Sequence, residues 1–477
     1  MFKKHQQMSF ADIYSACKDL FQNDKPKFLQ LLEQYFDLSE LVPLSFHHAY
    51  YNHLGRDRDY SLYSMLSALI LQKILGIPTV SLLIIFLTLS KELRDFCGFD
   101  KVPHNSQFTR FKQDFVDELE TFFNKLVDIT EPICQKLDEQ LASTLIFDTS
   151  GIEAYVAENN PKYINSLIKK LKRYYKDDPD VDVYKMAYGL MPSSAAVNDE
   201  IKQLYINGHF CYVYKFGILT NGLGIVRHIA FLDEDFKAKH PEVIVDKKTD
   251  SPDEDKSIGD STALKPILKD YFDLHPNALR DIFLGDSAFD SYKTYPFLLK
   301  DCNFKKALIP LNPRNSNSSL PQPGYNEFGW PLCPLDSSKP MIPNGHCYGN
   351  GRSPRDKWVC PETHFENGKR VCHCENPCTS SPYGRVVYTY PDQNLRAYPG
   401  IIRNTKEWEV LYKKRAIVEQ TVNYFKEPMG IGNPKTRDKK TIKADLLLAG
   451  ITQLVTVILA DKIDKHKYFR SLRPLVA

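Results

Sequence analysis

The hydrophobic periodicity of this 477-residue chain changes near residue 143, and this change constrains the fold more than any other feature. Before it, apolar residues recur at helical spacing between Pro and Gly breaks. The candidate helices span 10–22, 26–36, 61–75, 79–95 and 106–137. After it, short apolar runs alternate with helical segments. The pattern predicts an all-helical N-terminal region followed by a mixed α/β domain, a sheet flanked by helices.

Several short segments carry the α/β prediction. The runs "STLIFDTSG", "LRDIFLGDSAFDS" and "KKALIPL" indicate strands, and "GHFCYVYKFGILTNGLGIVRHIAFLDE" indicates a hairpin with "NGLG" as its turn. The segments "STALKPILKDYF" and "SYKTYPFLLKD" indicate helices between them. Strands that alternate with helices predict a mixed sheet with helices packed on it.

The segment 312–384 interrupts this alternation. It is rich in Pro, Gly, Ser and Asn, shows no regular period, and holds six of the eleven cysteines. A stretch this long without periodicity is typical of an inserted subdomain. We therefore expect four regions, with the sheet domain divided by the insertion: a helical binding or dimerisation region over 1–140, the first part of the sheet domain over 141–311, the insertion over 312–384, and the rest of the sheet domain over 385–477.

The bulk composition limits the class of protein. A hydrophobic content of 43% with 25% charged residues is typical of a folded soluble chain. The longest apolar runs fall short of the roughly 20 residues that a membrane span needs, and the N-terminus lacks the apolar stretch of a secretory signal. We expect a cytoplasmic protein without a membrane partner.

Two aspartates follow apolar triplets at the predicted strand ends. Asp148 follows Leu145–Phe147, and Asp286 follows Ile282–Leu284 after one glycine. Open α/β sheets hold ligands at such ends, although an aspartate there also commonly forms a turn. Each pair of bare carboxylates about 4 Å apart would cost roughly 4 kcal/mol at an effective dielectric of 20. If these acids converge with a third, Glu419, divalent metal would relieve the repulsion.

Glu419 belongs to a predicted helix over about 405–427, and the stretch 411–426 has one polar face. At about 100° per residue, four residues of this helix fall within an arc of about 60°: Tyr412, Arg415, Glu419 and Lys426. An apolar stripe borders them: Leu411, Val418, Val422 and Phe425. Between Tyr412 and Lys443 we count nine Lys or Arg residues against three acids. Such a segment is either a solvated face or a phosphate-binding surface, and the basic segment 161–176 has the same two interpretations.

The spacing of Tyr412, Arg415, Glu419 and Lys426 resembles the Tyr-Arg-Glu-Lys signature of a large branch of bacterial DDE insertion-sequence transposases. The segments "LIFDTSGIEA" and "FLGDSAFDS" resemble the two aspartate strands of that family, and "FCGFDKVPHNSQFTRFKQDF" is similar to the end of its helical region. The resemblance covers about residues 60–310 and 385–465. It implies a ribonuclease H-like catalytic domain.

The same resemblance implies the site and the reaction. Asp148, Asp286 and Glu419 would bind Mg²⁺ or Mn²⁺, while Tyr412, Arg415 and Lys426 would contact transposon-end DNA near the cleaved strand. In the family, metal-activated water cuts DNA at the terminal inverted repeats, and the freed 3′-hydroxyl attacks target DNA. A homodimer on double-stranded DNA, in the nucleoid, is implied as well.

The chain departs from the family pattern at two points, the middle acid and the insertion. Two alternative functions also stay open. Asp260 and Asp290 are alternatives for the middle acid, and we prefer Asp286 because it alone of the three ends an apolar strand-like run. Some relatives carry a large β-stranded insertion where this chain has its cysteine-bearing segment. A nuclease of the same fold without strand transfer, or a catalytically silent DNA-binding descendant, are the alternative functions.

The cysteines of the insertion offer a candidate zinc site. Four thiols stand out in the segment around "CHCENPC": Cys360, Cys372, Cys374 and Cys378. Further candidate ligands in the insertion are Cys333, Cys347, His346, His364 and His373. Tetrahedral Zn²⁺ suits four thiols, although this spacing is not that of a standard zinc finger. A disulfide framework, which a reducing cytoplasm disfavours, and unpaired thiols are the alternatives. The cysteines outside the insertion lie in apolar surroundings and are expected in the core: Cys17, Cys97, Cys134, Cys211 and Cys302.

Overall fold

The computed structural model describes residues 27–52, 57–176, 178, 180–206, 208–245, 257–313, 323–349 and 351–472. The predicted helix 10–22 and Cys17 lie outside these residues. The chain forms two compact units, each built from separate stretches. The first unit comprises Met1–Ile133, Gly151–Lys215 and Val422–Ala477, and the second comprises Cys134–Ser150 and Phe216–Thr421.

The described N-terminal residues are helical, as the periodicity predicts. Their helices are α1 (Lys27–Tyr35), α2 (Leu44–Tyr51), α3 (Leu62–Leu75), α4 (Val80–Leu89), α5 (Lys91–Phe96), α6 (Asn105–Asp114), α7 (Val116–Leu137) and α8 (Glu139–Ala142). Ser61 caps the start of α3, and Gly76 ends it in the left-handed conformation with φ of 65°. This is the conformation in which glycine avoids a steric penalty.

Two predicted helices are each divided into two. The expected helix 79–95 breaks at Ser90, which ends α4 and accepts a hydrogen bond from the backbone N–H of Leu93 to begin α5. The expected helix 106–137 breaks at Phe115, whose φ of −121° and ψ of 31° are not helical. Apolar spacing alone did not reveal these breaks, because apolar residues continue at helical spacing across both of them.

The C-terminal helix α16 (Lys439–Lys462) forms the core of the first unit. By length and composition α16 could cross a membrane, and the bent pair of α3 and α4 passes the same criterion together. However, 89% of the most apolar window of α16 is buried in the fold, as in the core helix of a soluble protein. On α16, Asp445 accepts hydrogen bonds from the ammonium groups of Lys73 and Lys112 at 2.9 and 2.8 Å.

The rest of the first unit is a pair of helices with a small antiparallel sheet. The helices are α9 (Pro161–Tyr174) and α10 (Val183–Gly189), and the strands are β2 (Ser194–Ala195), β3 (Asn198–Ile206) and the first part of β4 (His209–Asn221). Strand β3 pairs with β2 on one side and with β4 on the other, and Lys202 faces Val213 in the β4 register.

The second unit holds a mixed sheet, which confirms the predicted α/β class. Strand β1 (Thr144–Glu153) lies parallel to β6 (Ile282–Leu284), and β6 lies parallel to β7 (Lys306–Leu308). The later residues of β4 pair antiparallel with β5 (Val226–Phe231), so the hairpin prediction is confirmed. The helices of this part are α11 (Glu234–Lys239), α12 (Asp260–Leu274) and the short α13 (Thr294–Pro296), which continues into a π-helical turn over Phe297–Asp301.

The cysteine-bearing segment is β-structured rather than irregular. Its strands are β8 (Ile342–Gly349), β9 (Arg352–Val359), β10 (Thr363–Glu366), β11 (Lys369–Cys372) and β12 (Val386–Thr389). The order β12-β9-β8 forms one antiparallel sheet, and β10 and β11 form a hairpin. A small core around Trp358 and Met341 supports it. Most residues of β8 are exposed, so the strand lacks the alternation that identifies strands in a sequence.

Candidate active site

Asp148 and Asp286 lie at the same edge of the mixed sheet. Both follow triplets whose side chains are fully buried, and these triplets pair in parallel register, with Ile146 opposite Leu284. Asp286 begins a short 3₁₀ turn, and its Oδ1 accepts a hydrogen bond from the backbone N–H of Ala288 at 2.8 Å. Asp286 follows the end of β6, but Asp148 lies within β1, which continues to Glu153, so its predicted position at a strand end is wrong. The two carboxylates become neighbours because each lies just beyond the paired triplets.

The third acid lies on a helix that differs from its prediction. Instead of one continuous helix over about 405–427, the chain forms α14 (Lys406–Tyr412), a 3₁₀ turn over Lys413–Arg415, and α15 (Ala416–Lys426). Glu419 lies in the first turn of α15. The turn changes the angular positions assumed for a regular helix, so Tyr412 and Glu419 do not share one α-helical face.

One guanidinium group contacts all three acids. Nη2 of Arg415 lies 3.2 Å from Oδ2 of Asp148 and 3.9 Å from Oδ2 of Asp286, and Nη1 donates a hydrogen bond to Oε1 of Glu419. The side chain of Glu419 is 52% exposed, whereas that of Asp148 is 20% exposed. The structure therefore brings Asp148, Asp286 and Glu419 together around a single positive group.

Burial dominates the electrostatics of this cluster. Desolvation raises the pKa of Asp148 to about 6 from its ordinary 3.8, although Arg415 opposes this shift. Burial likewise raises the pKa of Asp286. Burial alone would lower the pKa of Arg415, but the three carboxylates more than offset it and raise that pKa. The site thus holds partly desolvated carboxylates that favour a nearby cation.

A fourth acid stands beside the cluster. Asp260 begins α12, and its Oδ1 accepts a hydrogen bond from the hydroxyl of Thr149 at 2.7 Å. Burial is the largest cause of the raised pKa of Asp286, and the charge of Asp260 raises this pKa further. The backbone N–H of Ala288 and the charge of Arg415 oppose the rise. In the sequence, Asp260 was only an alternative for the middle acid. From its predicted position at the start of a helix, the sequence does not show that Asp260 lies beside Asp286 as an additional acid.

Asp290, the other alternative for the middle acid, belongs to a buried network of hydrogen-bonded side chains. Its carboxylate is buried and binds Arg396 through two contacts of 2.9 and 2.5 Å, while the hydroxyl of Tyr295 donates to it at 2.7 Å. Arg403 donates to the backbone oxygen of Arg396 and stacks 4.8 Å over the ring of Trp408. This buried network connects the loop after Asp286 to the start of α14.

The other two residues of the predicted polar face have different environments. Tyr412 is half-buried, and its ring stacks on Trp408 with 6.4 Å between centroids. Lys426, which belongs to the first unit, is only 8% exposed, and burial lowers its pKa. The resemblance implies that both residues contact DNA. Lys426 is buried next to the apolar stripe of α15, where Phe425 is buried as well.

Lys426 also bears on a group of potential metal ligands that the sequence analysis did not single out. Within the described part of the chain, the group with three ligand atoms within 4.8 Å of one another is Glu153, His209 and Cys211. Glu153 and His209 are 3.2 Å apart and both well exposed. The ammonium charge of Lys426 acts on both Cys211 and Glu153, and a cation there disfavours a metal ion.

The predicted zinc ligands lie in the second unit around the β10–β11 hairpin. The Sγ atoms of Cys360 and Cys374 are 3.9 Å apart. Cys372 ends β11, and its thiol is a hydrogen-bonding neighbour of Cys374. Cys378 lines the same cavity as Cys360 and Cys374. Of the cysteines expected in the core, all four described ones are buried: Cys97, Cys134, Cys211 and Cys302.

The fold and the carboxylate cluster together define a mixed α/β protein with a candidate cation-binding site at the edge of its sheet. Residues 16–114 match the family described as Transposase domain (DUF772), which supports a transposase family for this chain. The match covers about a fifth of the chain and lies entirely before the residues of the carboxylate cluster. No curated protein matches the chain.

Proposed function

We propose that this protein is a DDE transposase that binds the ends of its insertion sequence, cuts them, and transfers the cut strands to target DNA. The observation that carries the proposal is the convergence of Asp148, Asp286 and Glu419 on Arg415. The transposase-domain match at residues 16–114 supports the same class of protein independently, because it does not include any of these residues.

The carboxylates suit Mg²⁺ or Mn²⁺. Asp148, Asp286 and Glu419 provide hard oxygen donors from three separate elements, and the partial desolvation of Asp148 and Asp286 favours a divalent cation over water. When bound at such a site, two ions activate the attacking oxygen and stabilise the leaving oxygen of a phosphodiester. In this proposal Asp148, Asp286 and Glu419 hold those ions, and Asp260 adds negative charge next to them.

Arg415 has two tasks in the proposed function. In the protein alone it neutralises the cluster, so the acids can stay close together without metal. Its buried Nε has no hydrogen-bond partner among the described residues, so the guanidinium is not fully satisfied by the cluster. A planar guanidinium also binds phosphate through paired hydrogen bonds. We infer that metal releases Arg415 from the acids and that its group then binds a DNA phosphate.

A basic helix in the first unit offers a surface for the DNA backbone. None of the residues of α9 is buried, and Asn160 caps its start. Its exposed basic residues are Lys162, Lys169, Lys170, Lys172 and Arg173. Lys172 bonds to the hydroxyl of Tyr184 at 2.8 Å, which holds α9 next to α10. An exposed row of this kind binds phosphates without reading the sequence.

The mixed sheet of the second unit supports a ribonuclease H-like catalytic domain. The β4–β5 hairpin is antiparallel, and β1, β6 and β7 follow as parallel neighbours. In such a sheet the acids of β1 and of the loop after β6 face the same ligand. The resemblance to DDE transposases further supports a homodimer on double-stranded DNA.

The test is a cleavage and strand-transfer assay on DNA that carries the two ends flanking the gene. We expect cut ends and joined products with Mg²⁺ or Mn²⁺, and loss of both in Asp148→Asn, Asp286→Asn and Glu419→Gln. Asp281→Asn is the matched control, because Asp281 lies just before β6 and pairs only with the exposed Lys305 among the ion pairs described. Cleavage without joined products would favour the nuclease instead. Full activity of the Asp148 variant would contradict the assigned site.

A further inference from the structure

We propose that the second unit contains a structural Zn²⁺ site formed by Cys333, Cys360, Cys374 and Cys378. These four thiols line one cavity of about 470 Å³ next to the β10–β11 hairpin. The proposal stands on this region alone and does not rest on the proposed transposase function.

Backbone pairing brings the four thiols to this cavity from separate segments. Cys360 directly follows β9, is 3% exposed, and donates its backbone N–H to the oxygen of Arg385 at 3.0 Å. Cys374 lies two residues after the end of β11. The backbone N–H of Cys333 donates to the oxygen of Lys339 at 2.9 Å, which closes a turn below the hairpin. Ligands from segments this far apart would tie the whole region together.

The distance between two of the thiols is the one that tetrahedral zinc requires. Zn–S bonds of about 2.3 Å place neighbouring sulfurs of a tetrahedral site roughly 3.8 Å apart. The Sγ atoms of Cys360 and Cys374 are 3.9 Å apart, whereas a disulfide would need about 2.05 Å. Cys333 and Cys378 face the same cavity, and zinc would draw their thiols toward this pair.

Burial raises the pKa of the Cys360 thiol, and polar groups beside it oppose this rise only in part. The backbone N–H of Glu362 donates a hydrogen bond to Cys360, and such a bond stabilises negative charge on sulfur. The ammonium group of Lys339 lines the cavity and pairs with Glu362 at 2.7 Å. Four thiolates around Zn²⁺ leave a negative site, so a lysine at its rim offsets part of that charge.

A glycine allows the chain to close tightly beside the site. Gly384 has φ of 74°, and a Cβ atom there would lie 2.5 Å from Cγ2 of Thr363 and 3.5 Å from Cβ of Cys360. A larger residue would therefore push the turn before β12 away from Cys360 and from Cys372, whose Cβ would lie 3.6 Å away. The tight approach keeps Cys360 in place, as a pre-formed ligand requires.

The proposed ligand set differs from the sequence-based one at a single position. The sequence suggests Cys372 with Cys360, Cys374 and Cys378, and offers Cys333 as a further ligand. Cys333 lines the cavity and Cys372 does not, although the Cys372 thiol is a hydrogen-bonding neighbour of Cys374. Cys333 is far from these cysteines in the chain, and the local bridges that join Tyr325 to Pro331 and Leu332 to Pro340 shape the turn that carries it. The spacing "CHCENPC" does not select this distant ligand.

The first experiment measures zinc in full-length protein purified with reductant and without added metal. We expect about one zinc per chain, and less than a tenth of that in Cys360→Ser and Cys374→Ser. Cys347→Ser is the matched control, because Cys347 lies on β8 of the neighbouring sheet and does not line the cavity. Control protein should keep its zinc. The absence of zinc from wild-type protein would overturn the proposal. Equal zinc in Cys360→Ser, Cys374→Ser and Cys347→Ser would overturn it as well.

A second set of measurements tests whether Cys333 or Cys372 is the fourth ligand. It also distinguishes loss of zinc from loss of the fold. We expect Cys333→Ser to lose zinc and Cys372→Ser to keep it, and the reverse would overturn the assignment of Cys333. In wild-type protein, a zinc chelator should expose four additional thiols to a thiol reagent while far-UV circular dichroism shows the protein still folded. A mass 2 Da below that of the reduced chain, with no zinc, would show a disulfide and contradict the site.

Discussion

The Nη2 atom of Arg415 lies 3.2 Å from Oδ2 of Asp148, and the same guanidinium donates a hydrogen bond to Glu419. A positive side chain therefore stands at the position where the three carboxylates need a cation. Because Arg415 is itself only 18% exposed, this arrangement is a feature of the folded site rather than a surface ion pair. Competition between Arg415 and metal for the acids follows from this geometry.

The first prediction concerns this competition. Arg415→Gln should bind Mn²⁺ more tightly in DNA-free protein, by about fivefold, because no guanidinium must be displaced from Asp148 and Glu419. Arg415→Lys, which keeps the charge, should stay closer to wild type. Calorimetric titration with Mn²⁺ measures both affinities, and weaker binding in the Gln variant would contradict a competing role for Arg415.

The second prediction concerns the pH dependence of stability in the metal-free protein. The raised pKa of Asp148, about 6 against an ordinary 3.8, means that the folded state binds more protons than the unfolded chain between these pH values. The contribution of Asp148 to stability should therefore fall as pH rises from about 4 to 6, by at most about 3 kcal/mol. Asp148→Asn should lose this slope in urea unfolding measured across the window. An unchanged slope would show that Asp148 titrates normally.

The third prediction concerns the buried ion network on α16. Asp445→Asn should lower the free energy of unfolding by about 3–5 kcal/mol, because the ammonium groups of Lys73 and Lys112 would stay buried without a counter-charge. Glu120→Gln, which breaks the more exposed pair with Lys443, is the control and should cost no more than about 1 kcal/mol. Equal losses in the two variants would contradict the importance of the buried charge.

The same network predicts sensitivity to acid. Burial raises the pKa of Asp445, but Lys112 and Lys73 more than offset it and lower the pKa to about 2. A lowered carboxylate pKa contributes stability above about pH 4 that is lost as pH falls toward 2. Asp445→Asn should therefore show a weaker loss of stability over this range than wild type. Acid unfolding followed by circular dichroism measures the difference.

The fifth prediction concerns the basic helix α9. Replacing Lys169, Lys170 and Arg173 with Ala should weaken binding to any DNA sequence about equally and reduce the slope of log K against log salt by up to about 3. The control replaces Lys237 and Lys239 on α11, whose charges already pair with Glu234 and Asp270. An unchanged salt slope in the α9 variant would remove this helix from the DNA surface.

Much of the site could be predicted from local patterns. The triplets before Asp148 and Asp286 form adjacent parallel strands, because continuous apolar runs of this length are typical of strands buried on both faces. The predicted hairpin forms β4 and β5 with its turn in place. Val418, part of the predicted apolar stripe beside Glu419, is fully buried. These features depend on short-range sequence, so periodicity was sufficient.

The remaining features depend on contacts between distant parts of the chain. The 3₁₀ turn at Lys413–Arg415 has no Pro or Gly to announce it, yet it sets the direction of the Arg415 guanidinium. Asp260 reaches the site only through the packing of α12, and its bond to Thr149 spans 111 residues. Cys333 likewise lines a cavity with Cys360, which is 27 residues away in the chain. Single-sequence patterns carry no information about such pairings.

The most direct test of the account is a crystal structure of the protein soaked in Mn²⁺, with the metal located by anomalous scattering. We expect an anomalous peak about 2.2 Å from carboxylate oxygens of Asp148, Asp286 and Glu419, with the Arg415 side chain moved away from them. A peak at Glu153, His209 and Cys211 with none at the sheet edge, or acids that remain bound to Arg415 at saturating metal, would contradict the central claim.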